Sequence, residues 1–368
     1  MASKVHFTSF RCTGNENLVQ KFRRLALTAG IGDIDMKGKY VGIKLHFGEP
    51  GNMAYLRPQY ARTLAEIVKE KGGKPFLVDC NTLYIGRRAN ALDHIESAYE
   101  NGFSPFQTGC HVIIGDGLKG DDEVAVPVRG AEYSKVAYIG RGVMDADIII
   151  SLSHFKAHEG TGFGGVLKNI GMGCGSRKGK KDMHEEEKPA VDVSGCVGCG
   201  VCAQNCAHDA ILVESTACID STKCAGCGRC IEMCPQECIH PMDNRANEIL
   251  SRKVAEYTAA VIQDKPSFHI SLACDISPYC DCYSRNDTPI VEDIGMFASF
   301  DPIAMDQACA DMVCAAKPLR NSLLYERGGA TLGDHFRTLH PVTNWDACLE
   351  QGVKLGLGVR EYEIVEMK

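Results

Sequence analysis

Eight cysteines between residues 196 and 234 have spacings that suit iron–sulfur chemistry. They form two runs, each with two, two and three residues between successive cysteines. Thiolates at these spacings hold [4Fe–4S] clusters, and in two-cluster sites the fourth cysteine of each run binds the other cluster. The pattern therefore predicts one cluster on Cys196, Cys199, Cys202 and Cys234, and a second on Cys224, Cys227, Cys230 and Cys206.

Disulfide bonds and zinc are other common uses of closely spaced cysteines. The segment Met1–Arg11 has no apolar signal-peptide core, which argues against a secreted, disulfide-bonded protein. Zinc sites use C-x₂-C pairs rather than runs of four cysteines. The two runs are similar to those of bacterial two-cluster ferredoxins, with Pro235 after the last ligand, although Ala207 stands where the first run would have its proline. We therefore predict an inserted two-[4Fe–4S] ferredoxin module, α+β in class, over residues 189–244.

Three histidines follow predicted strands elsewhere in the chain. A histidine at such a position can bind a metal or transfer a proton near neutral pH, although a single one is more often structural. We treat these three as candidate catalytic residues: His46, His154 and His158. Polar side chains predicted on the same rim could orient the imidazoles or accept a proton: Glu49, Asp79 and Asn81.

A glycine-rich turn adjoins two lysines that could bind an anion. Gly164 and Gly165 allow the backbone to approach a carboxylate or phosphate, and Lys156 and Lys168 supply positive charge. Lys168, which would hold the anionic end of a substrate, is the fourth candidate catalytic residue. Such turns are also common without a ligand. Because no G-x-G-x-x-G sequence follows a strand, we predict no dinucleotide site of the Rossmann type.

Four further cysteines form a second candidate site. Cys274, Cys280 and Cys282 lie in one short segment, and Cys174 directly follows the glycine-rich stretch. With a histidine they could hold a third iron–sulfur cluster or a single metal ion. Alternatively, Cys280 and Cys282 could be a redox dithiol. Asp281 between them would be an unusual choice for a purely apolar core.

Predicted strands alternate with predicted helices on both sides of the cysteine-rich module. Period-two or continuous β-branched runs predict strands at Tyr40–His46, Pro75–Asp79 and Asp147–Leu152, with intervening helices such as Pro58–Lys71. Strands in other runs are expected at Lys4–Phe10, Val112–Gly115, Lys135–Ile139, Ser267–Ala273, Gly295–Ser299 and Glu361–Val365. We predict an α/β fold with a mostly parallel sheet and helices on both faces, built from residues 1–188 and 245–368. Ligands of such sheets bind beyond the carboxyl ends of the strands. The loops expected there are His46–Asn52, Asp79–Arg88 and Ser153–Gly165.

Composition narrows the class of protein. The chain has 368 residues, 20 cysteines and a formal net charge of −7, with acids and bases interspersed. This charge distribution gives no basic patch that would bind nucleic acid, and no apolar run is long enough for membrane insertion. We expect a cytoplasmic protein, and so many thiols favour an anaerobic host.

Several segments outside the module resemble the family called domain of unknown function 362, whose members are often fused to a ferredoxin. The resemblance lies in K-L-H-F-G-E-P-G-N (44–52), D-C-N-T-L-Y-I-G-R-R (79–88), residues 152–174, C-D-C (280–282) and residues 293–306. It covers nearly the whole chain. The family has no established activity, so the resemblance implies an iron–sulfur protein of this architecture and nothing finer.

A shorter stretch is similar to nickel-pincer lactate racemases. G-F-G-G-V-L-K, preceded by His154 and His158, matches the segment that carries their cofactor lysine. The resemblance implies that Lys168 would bear the nicotinate-derived cofactor and that a nearby histidine would bind nickel. The alternative is an anion cradle at the start of a helix.

Together these features predict an iron–sulfur oxidoreductase. Two clusters would exchange electrons with a soluble redox partner, such as a ferredoxin, a flavodoxin or a reductase. They would pass the electrons to or from a site in the α/β domain that binds a small anionic substrate or cofactor. Two alternatives are a non-enzymatic electron carrier and a scaffold that handles metals or clusters.

Overall fold

The fold is organised around one large β-sheet. A computed structural model describes residues 2–186, 188–241, 244–328 and 333–367. Within these ranges eight strands form the central sheet, in the order β16-β1-β15-β14-β7-β2-β3-β4. The strands are β1 Ser3–Thr8, β2 Tyr40–Lys44, β3 Lys74–Asp79, β4 His111–Ile114, β5 Glu123–Pro127, β6 Val136–Gly140, β7 Ile148–His154, β8 Lys156–His158, β9 Gly162–Gly164, β10 Pro189–Val191, β11 Ile211–Val213, β12 Ala217–Ile219, β13 Ile239–Pro241, β14 Ser267–Ala273, β15 Gly295–Ser299 and β16 Tyr362–Glu366.

Most strands of the central sheet run parallel, as the sequence predicts. Strands β4, β3, β2, β7 and β14 form an uninterrupted parallel block. Strand β15 is antiparallel to both of its neighbours, β14 and β1, and β16 closes the far edge parallel to β1. The carboxyl ends of four adjacent strands, β3, β2, β7 and β14, therefore lie at one edge of the sheet.

Helices cover both faces of this sheet. Along β7, Ile148, Ile150 and Leu152 pack into one core and Ile149 into the other, as the period of two in a strand requires. Helices α1 to α3 cover the first core, and α6, α10, α11 and α14 cover the second. The helices are α1 Leu18–Thr28, α2 Pro58–Glu70, α3 Ala91–Glu100, α4 Pro105–Thr108, α5 Arg141–Met144, α6 Val166–Cys174, α7 Arg177–Met183, α8 Val201–Gln204, α9 Arg229–Met233, α10 Asn244–Ile262, α11 Pro302–Ala315, α12 Leu323–Glu326, α13 His335–Leu339 and α14 Asp346–Lys354.

Two local predictions need correction. The strand expected at Lys135–Ile139 forms as β6, but it pairs with β5 in a separate antiparallel hairpin outside the main sheet. A short connection between two strands favours antiparallel pairing with the neighbour in sequence. The segment Ser153–Gly165, expected to be a loop, contains a second small hairpin made by β8 and β9.

The cysteine-rich segment forms a small unit with its own core. Strand β10 pairs with β13, and β11 pairs with β12, both antiparallel. Each short helix of the unit carries one cysteine of a run, Cys202 on α8 and Cys230 on α9. Its apolar interior, which includes Cys202, Ala217, Cys230 and Ile239, is distinct from the two cores of the main sheet.

Candidate functional site

Loops from four adjacent strands meet at the carboxyl edge of the parallel block. His46 follows β2, Asp79 ends β3, His154 ends β7, and the C-D-C segment follows β14. Helix α6 begins at the same edge, so that Lys168 lies near its first turn. The site therefore occupies the place where parallel α/β sheets bind ligands.

Two thiols and a lysine form the centre of this cluster. The Lys168 ammonium donates to the Cys280 sulfur at 3.1 Å and lies 4.0 Å from the Cys282 sulfur. Cys280 is buried, whereas Cys282 and Lys168 are partly exposed. Burial would lower the pKa of Lys168, but the two thiols outweigh it and raise that pKa. The lysine therefore stays charged beside the sulfur atoms.

The two thiols share a hydrogen bond and differ in acidity. Burial opposes ionisation of Cys280, but the hydrogen bond from Cys282, the Lys168 charge and the neighbouring His158 ring bring the pKa of Cys280 well below its usual value. The pKa of Cys282 is raised by the same hydrogen bond and by burial. The pair thus holds one proton between two sulfurs, with Cys280 as the thiolate.

His46 and His158, two of the predicted histidines, turn their Nε2 atoms towards the site and their Nδ1 atoms towards the backbone. The Nδ1 atom of His158 accepts from the backbone N–H groups of Gly160 at 3.0 Å and Thr161 at 3.2 Å. The Nδ1 atom of His46 accepts from the Gly48 N–H at 2.9 Å. These bonds place the hydrogen of each neutral ring on Nε2. The Nε2 atom of His46 is buried without a hydrogen-bond partner in the described chain.

Burial also keeps the His46 ring neutral. Burial, and then the Arg88 charge, lower the pKa of His46 well below its usual value, against the opposing effect of Asp281. The ring can therefore donate a hydrogen bond from Nε2 without carrying charge.

His154 and Lys156 hold Asp281 in place. The carboxylate of Asp281 accepts from His154 Nδ1 at 2.9 Å and from Lys156 Nζ at 2.8 Å, and these partners lower its pKa despite burial. The other nitrogen of His154 contacts the Cys274 carbonyl oxygen at 2.7 Å. Lys156, expected to bind an external anion, is thus neutralised by a carboxylate of the chain itself. The C-D-C segment is fixed through its central residue.

The glycine-rich turn is explained by a carboxylate that the sequence interpretation gave no role. Asp306 of α11 accepts from the backbone N–H groups of Val166 at 2.7 Å and Leu167 at 2.9 Å, which begin α6. A Cβ atom on Gly165 would lie 2.2 Å from the Asp306 Oδ1 atom, whereas on Gly164 its nearest neighbour would be 3.6 Å away. Gly165 therefore permits the contact that positions α6.

Asn169 anchors the same helix to two strands. Its side-chain oxygen accepts from Lys44 Nζ at 2.8 Å, and its amide donates to Ser153 Oγ at 3.0 Å. Neither Asn169 nor Lys44 was identified from the sequence, although both lie in segments that resemble the family. Asn169 directly follows Lys168, and Lys44 lies two positions before His46. This closeness to candidate site residues was the signal that the sequence offered.

A buried ionic network lies behind the site. Arg88 pairs with Glu49 at 2.8 Å and contacts the Tyr84 hydroxyl at 2.5 Å. Lys44 pairs with Asp79 at 3.0 Å. The predicted rim residues Glu49 and Asp79 thus neutralise buried cations. The third, Asn81, donates to Asp116 instead, at 2.9 Å.

The other two cysteines of the second candidate site lie elsewhere. Cys174 is beside Cys80, whose thiol donates to the Cys174 carbonyl oxygen at 3.5 Å. Burial, and then the charges of Asp293 and Asp275, raise the pKa of the Cys274 thiol. In the described part of the chain, no three His, Cys, Asp or Glu side chains are arranged to hold a single metal ion. The structure thus brings together Cys280 and Cys282 alone from this set.

Comparison with known proteins places this site in a family. The family model described as "Domain of unknown function (DUF362)" matches residues 41–311. The chain belongs to this family. The match to DUF362 includes the thiol–lysine pair, the buried ionic network and the whole cysteine-rich unit.

Individual relatives of this DUF362 protein are distant. A thylakoid-associated protein of Synechocystis sp. is 28% identical over 166 residues, which are 43% of this chain and 46% of that protein. The chain thus matches about half the length of this relative. None of the described helices is long and apolar enough to cross a bilayer.

Two solved structures are weakly similar to this chain. A Thermotoga maritima protein gives a TM-score of 0.41 at 12% identity, covering 94% of this chain and 61% of its own. The lactate racemase apoprotein of Thermoanaerobacterium thermosaccharolyticum gives 0.35 at 11%, covering 74% and 51%. Both likenesses are too weak to assign a function to the DUF362 site.

The cysteine-rich unit encloses two cavities. Cysteines of both runs line each one, because the fourth cysteine of each run lies in the cavity of the other run. The first cavity is lined by Cys196, Cys199, Cys202, Cys234 and, from outside the runs, Cys238, and the second by Cys206, Cys224, Cys227 and Cys230. Apart from Cys238, these are the two groups of cysteines that the spacing predicts, and the clusters themselves stay a prediction.

The second cavity is the one nearer to the thiol–lysine site. His208, which lines it, contacts the Leu83 carbonyl oxygen at 3.2 Å, in the loop after β3. Burial, and then the charges of Glu159 and of Glu232 on α9, raise the pKa of Tyr283. Tyr283 directly follows the C-D-C segment and donates to Glu159 at 2.7 Å. The first cavity lies at the exposed end, where Cys199 is exposed and Val197 is 63% exposed.

Proposed function

We propose that this protein is an iron–sulfur electron-transfer protein, in which two [4Fe–4S] clusters exchange electrons with the Cys280–Cys282–Lys168 site. The observation that carries the proposal is the crossed arrangement of the eight cysteines, four around each cavity. Such crossing is how two-cluster ferredoxins distribute their ligands. In a cube each thiolate binds a different iron, so the four sulfurs surround a cavity and need not converge on one point.

The donor atoms of the unit suit this group. Backbone N–H groups donate to three of the sulfurs: Ala217 to Cys196 at 3.3 Å, Ala210 to Cys206 at 3.4 Å and Gly226 to Cys224 at 3.4 Å. Hydrogen bonds to cluster sulfurs, together with burial, set reduction potentials. The walls are otherwise mainly apolar, including Ala225, Ile211 and Ile219 at the second cavity.

The positions of the two cavities support a route for electrons through the molecule. The first set faces solvent and is accessible to a soluble redox partner. The second set lies against the loop after β3 and the segment after Cys282. Electrons would pass between partner and site through both clusters in turn, each of which carries one electron at a time.

Bound groups would supply the redox chemistry, and the chain supplies the acid–base groups. Lys168 stabilises negative charge at the site, either on the Cys280 sulfur or on an anionic ligand. His158 and His46 each present Nε2–H as a donor. Glu49 and Asp79 keep the surrounding cations paired, so that positive charge is concentrated at Lys168.

Iron and acid-labile sulfide per chain test the proposal directly. Anaerobically purified protein should contain about eight of each, and dithionite should give the electron paramagnetic resonance of reduced cubes. Cys227→Ser should remove about half of the iron. Cys218→Ser is the matched control, because Cys218 is in the same unit but is exposed and lines neither cavity.

The crossing has its own test. Cys206→Ser should leave the same residual resonance as Cys227→Ser, and a different one from Cys199→Ser. Zinc in place of iron, or a loss of iron in Cys218→Ser equal to that in Cys227→Ser, would contradict the proposal.

A further inference from the structure

We propose that Cys280 and Cys282 are a redox-active dithiol that cycles between a thiolate–thiol pair and an intramolecular disulfide. The inference rests on the proposed function for its electron source, because the two clusters would supply or remove the two electrons. The existence of the pair rests on the geometry of the loop alone.

The two sulfur atoms lie beside the same ammonium group in the reduced chain. They are separated by one residue, share a hydrogen bond, and both lie within reach of the Lys168 ammonium, at 3.1 and 4.0 Å. Thiol–disulfide chemistry requires a thiolate that a neighbouring cation stabilises. Cys280 is that thiolate, and Lys168 is the cation.

The surroundings hold the segment in this geometry. The side chain of Asp281 accepts from His154 and Lys156, and its carbonyl oxygen accepts from the Glu49 N–H at 3.0 Å. Three contacts to the central residue leave the flanking cysteines little freedom to separate. A rigid C-x-C segment reduces the entropy lost when the disulfide forms.

Two other roles fit the observations less well. A single metal ion would need a third ligand, and no such group of His, Cys, Asp or Glu side chains occurs within the described ranges. A purely apolar core position would not place an ammonium group against the sulfur, because a desolvated charge needs a partner. The hydrogen-bond partners of the Lys168 ammonium in the described chain are these two sulfurs.

Electrons and protons balance in the cycle. Reduction breaks the Cys280–Cys282 sulfur–sulfur bond and takes one electron from each of two reduced clusters, which become oxidised. One sulfur remains as the Cys280 thiolate beside Lys168. The other takes one proton from solvent, which reaches the partly exposed Cys282, and becomes the Cys282 thiol. The Nε2–H of His158, which lies against Cys280, donates a hydrogen bond to the thiolate and keeps its proton. Oxidation reverses each step.

Redox equilibration with thiol mapping tests the pair. The full chain would be equilibrated without air in mixtures of oxidised and reduced dithiothreitol, quenched with acid, alkylated and digested. Mass spectrometry should find the peptide with residues 280–282 unalkylated and two hydrogens lighter at the oxidising end. The transition should follow a two-electron curve, with a tenfold change in the ratio per about 30 mV. It should be absent in Cys282→Ser and retained in Cys12→Ser, whose thiol is exposed.

Lys168 provides a readout that a structural cysteine pair would not move. Removing its charge destabilises the thiolate and hence the reduced form. Lys168→Met should therefore shift the midpoint to a more negative potential, and Lys168→Arg should restore it in part. Equal midpoints for Lys168→Met and the unchanged chain would overturn the role of the lysine. Two alkylated cysteines under every condition would overturn the dithiol itself.

The two proposals fail separately. A chain that forms the disulfide but contains no iron or sulfide would retain the dithiol and refute the clusters. A chain with two clusters and permanently free thiols would do the reverse. If both are present, dithionite-reduced protein should open the disulfide faster than Cys227→Ser does, because that variant lacks the cluster nearer to the site.

Discussion

Gly165 and Asp306 are in such close contact that the glycine cannot carry a side chain without moving the carboxylate. A Cβ atom there would lie 2.2 Å from Oδ1 of Asp306. We expect Gly165→Ala to lower the free energy of unfolding by about 1–3 kcal/mol, a usual cost of overpacking a close contact. Denaturant unfolding would measure it. Gly164→Ala, where the nearest atom is 3.6 Å away, is the matched control and should cost less. Equal losses would contradict the assignment.

The same carboxylate should make stability depend on pH. Burial raises the pKa of Asp306 from 3.8 to about 7. The folded chain then binds a proton that the unfolded chain releases, so this group's contribution to stability falls as pH rises from about 4 to about 7. Between about pH 5.5 and 7 the loss should be about 2 kcal/mol. Asp306→Asn should remove that component, measured as the difference between the two chains in urea. Parallel pH dependences would show that Asp306 is ionised throughout.

The buried pair Arg88–Glu49 should be far more sensitive than a surface pair. Glu49→Gln leaves the Arg88 guanidinium buried without its charge partner and should cost about 3–5 kcal/mol. Glu66→Gln removes one partner of the exposed Arg62–Glu66 pair, whose ions are 2.9 Å apart, and should cost less than about 1 kcal/mol. Thermal or denaturant unfolding of both variants gives the comparison. Similar costs would indicate that solvent reaches Arg88.

If the clusters are present, oxygen should destroy them in a fixed order. Cys199 of the first cavity is exposed, whereas Cys224 and Cys230 of the second are buried. We expect brief exposure to air to remove about four irons first, from the solvent-facing cluster. The resonance that survives should be the one missing from Cys227→Ser and present in Cys199→Ser. Simultaneous loss of both signals would contradict this order.

Local sequence patterns predicted the features that depend on residues close to one another in the chain. Ser267–Ala273 and Gly295–Ser299 form strands with the expected bounds. Cysteine spacing also grouped the eight thiols of the two runs as the cavities group them, although Cys238, outside the runs, lines the first cavity as well.

The partners of the charged residues could not be predicted in this way. Lys156 and Asp281 are 125 positions apart, and their contact depends on how two loops fold over the end of the sheet. Hydrophobic periodicity predicts which face of a helix or strand is buried. It contains no information on which charged side chains form pairs in the loops beyond the strand ends. For the same reason the sequence indicated Lys156 and Lys168 equally, although the structure pairs one with a carboxylate and leaves the other beside the thiols.

The ends of the cysteine-rich unit lie side by side, because Pro189 is the registered partner of Pro241 in the β10–β13 pair. The chain enters and leaves the unit through two neighbouring strands, which are separated by about 5 Å. An ancestor could therefore have gained or lost these residues in one genetic event, without displacing any strand of the host sheet. The arrangement makes the unit exchangeable: the same host could have been fitted with a different insert at a single pair of junctions.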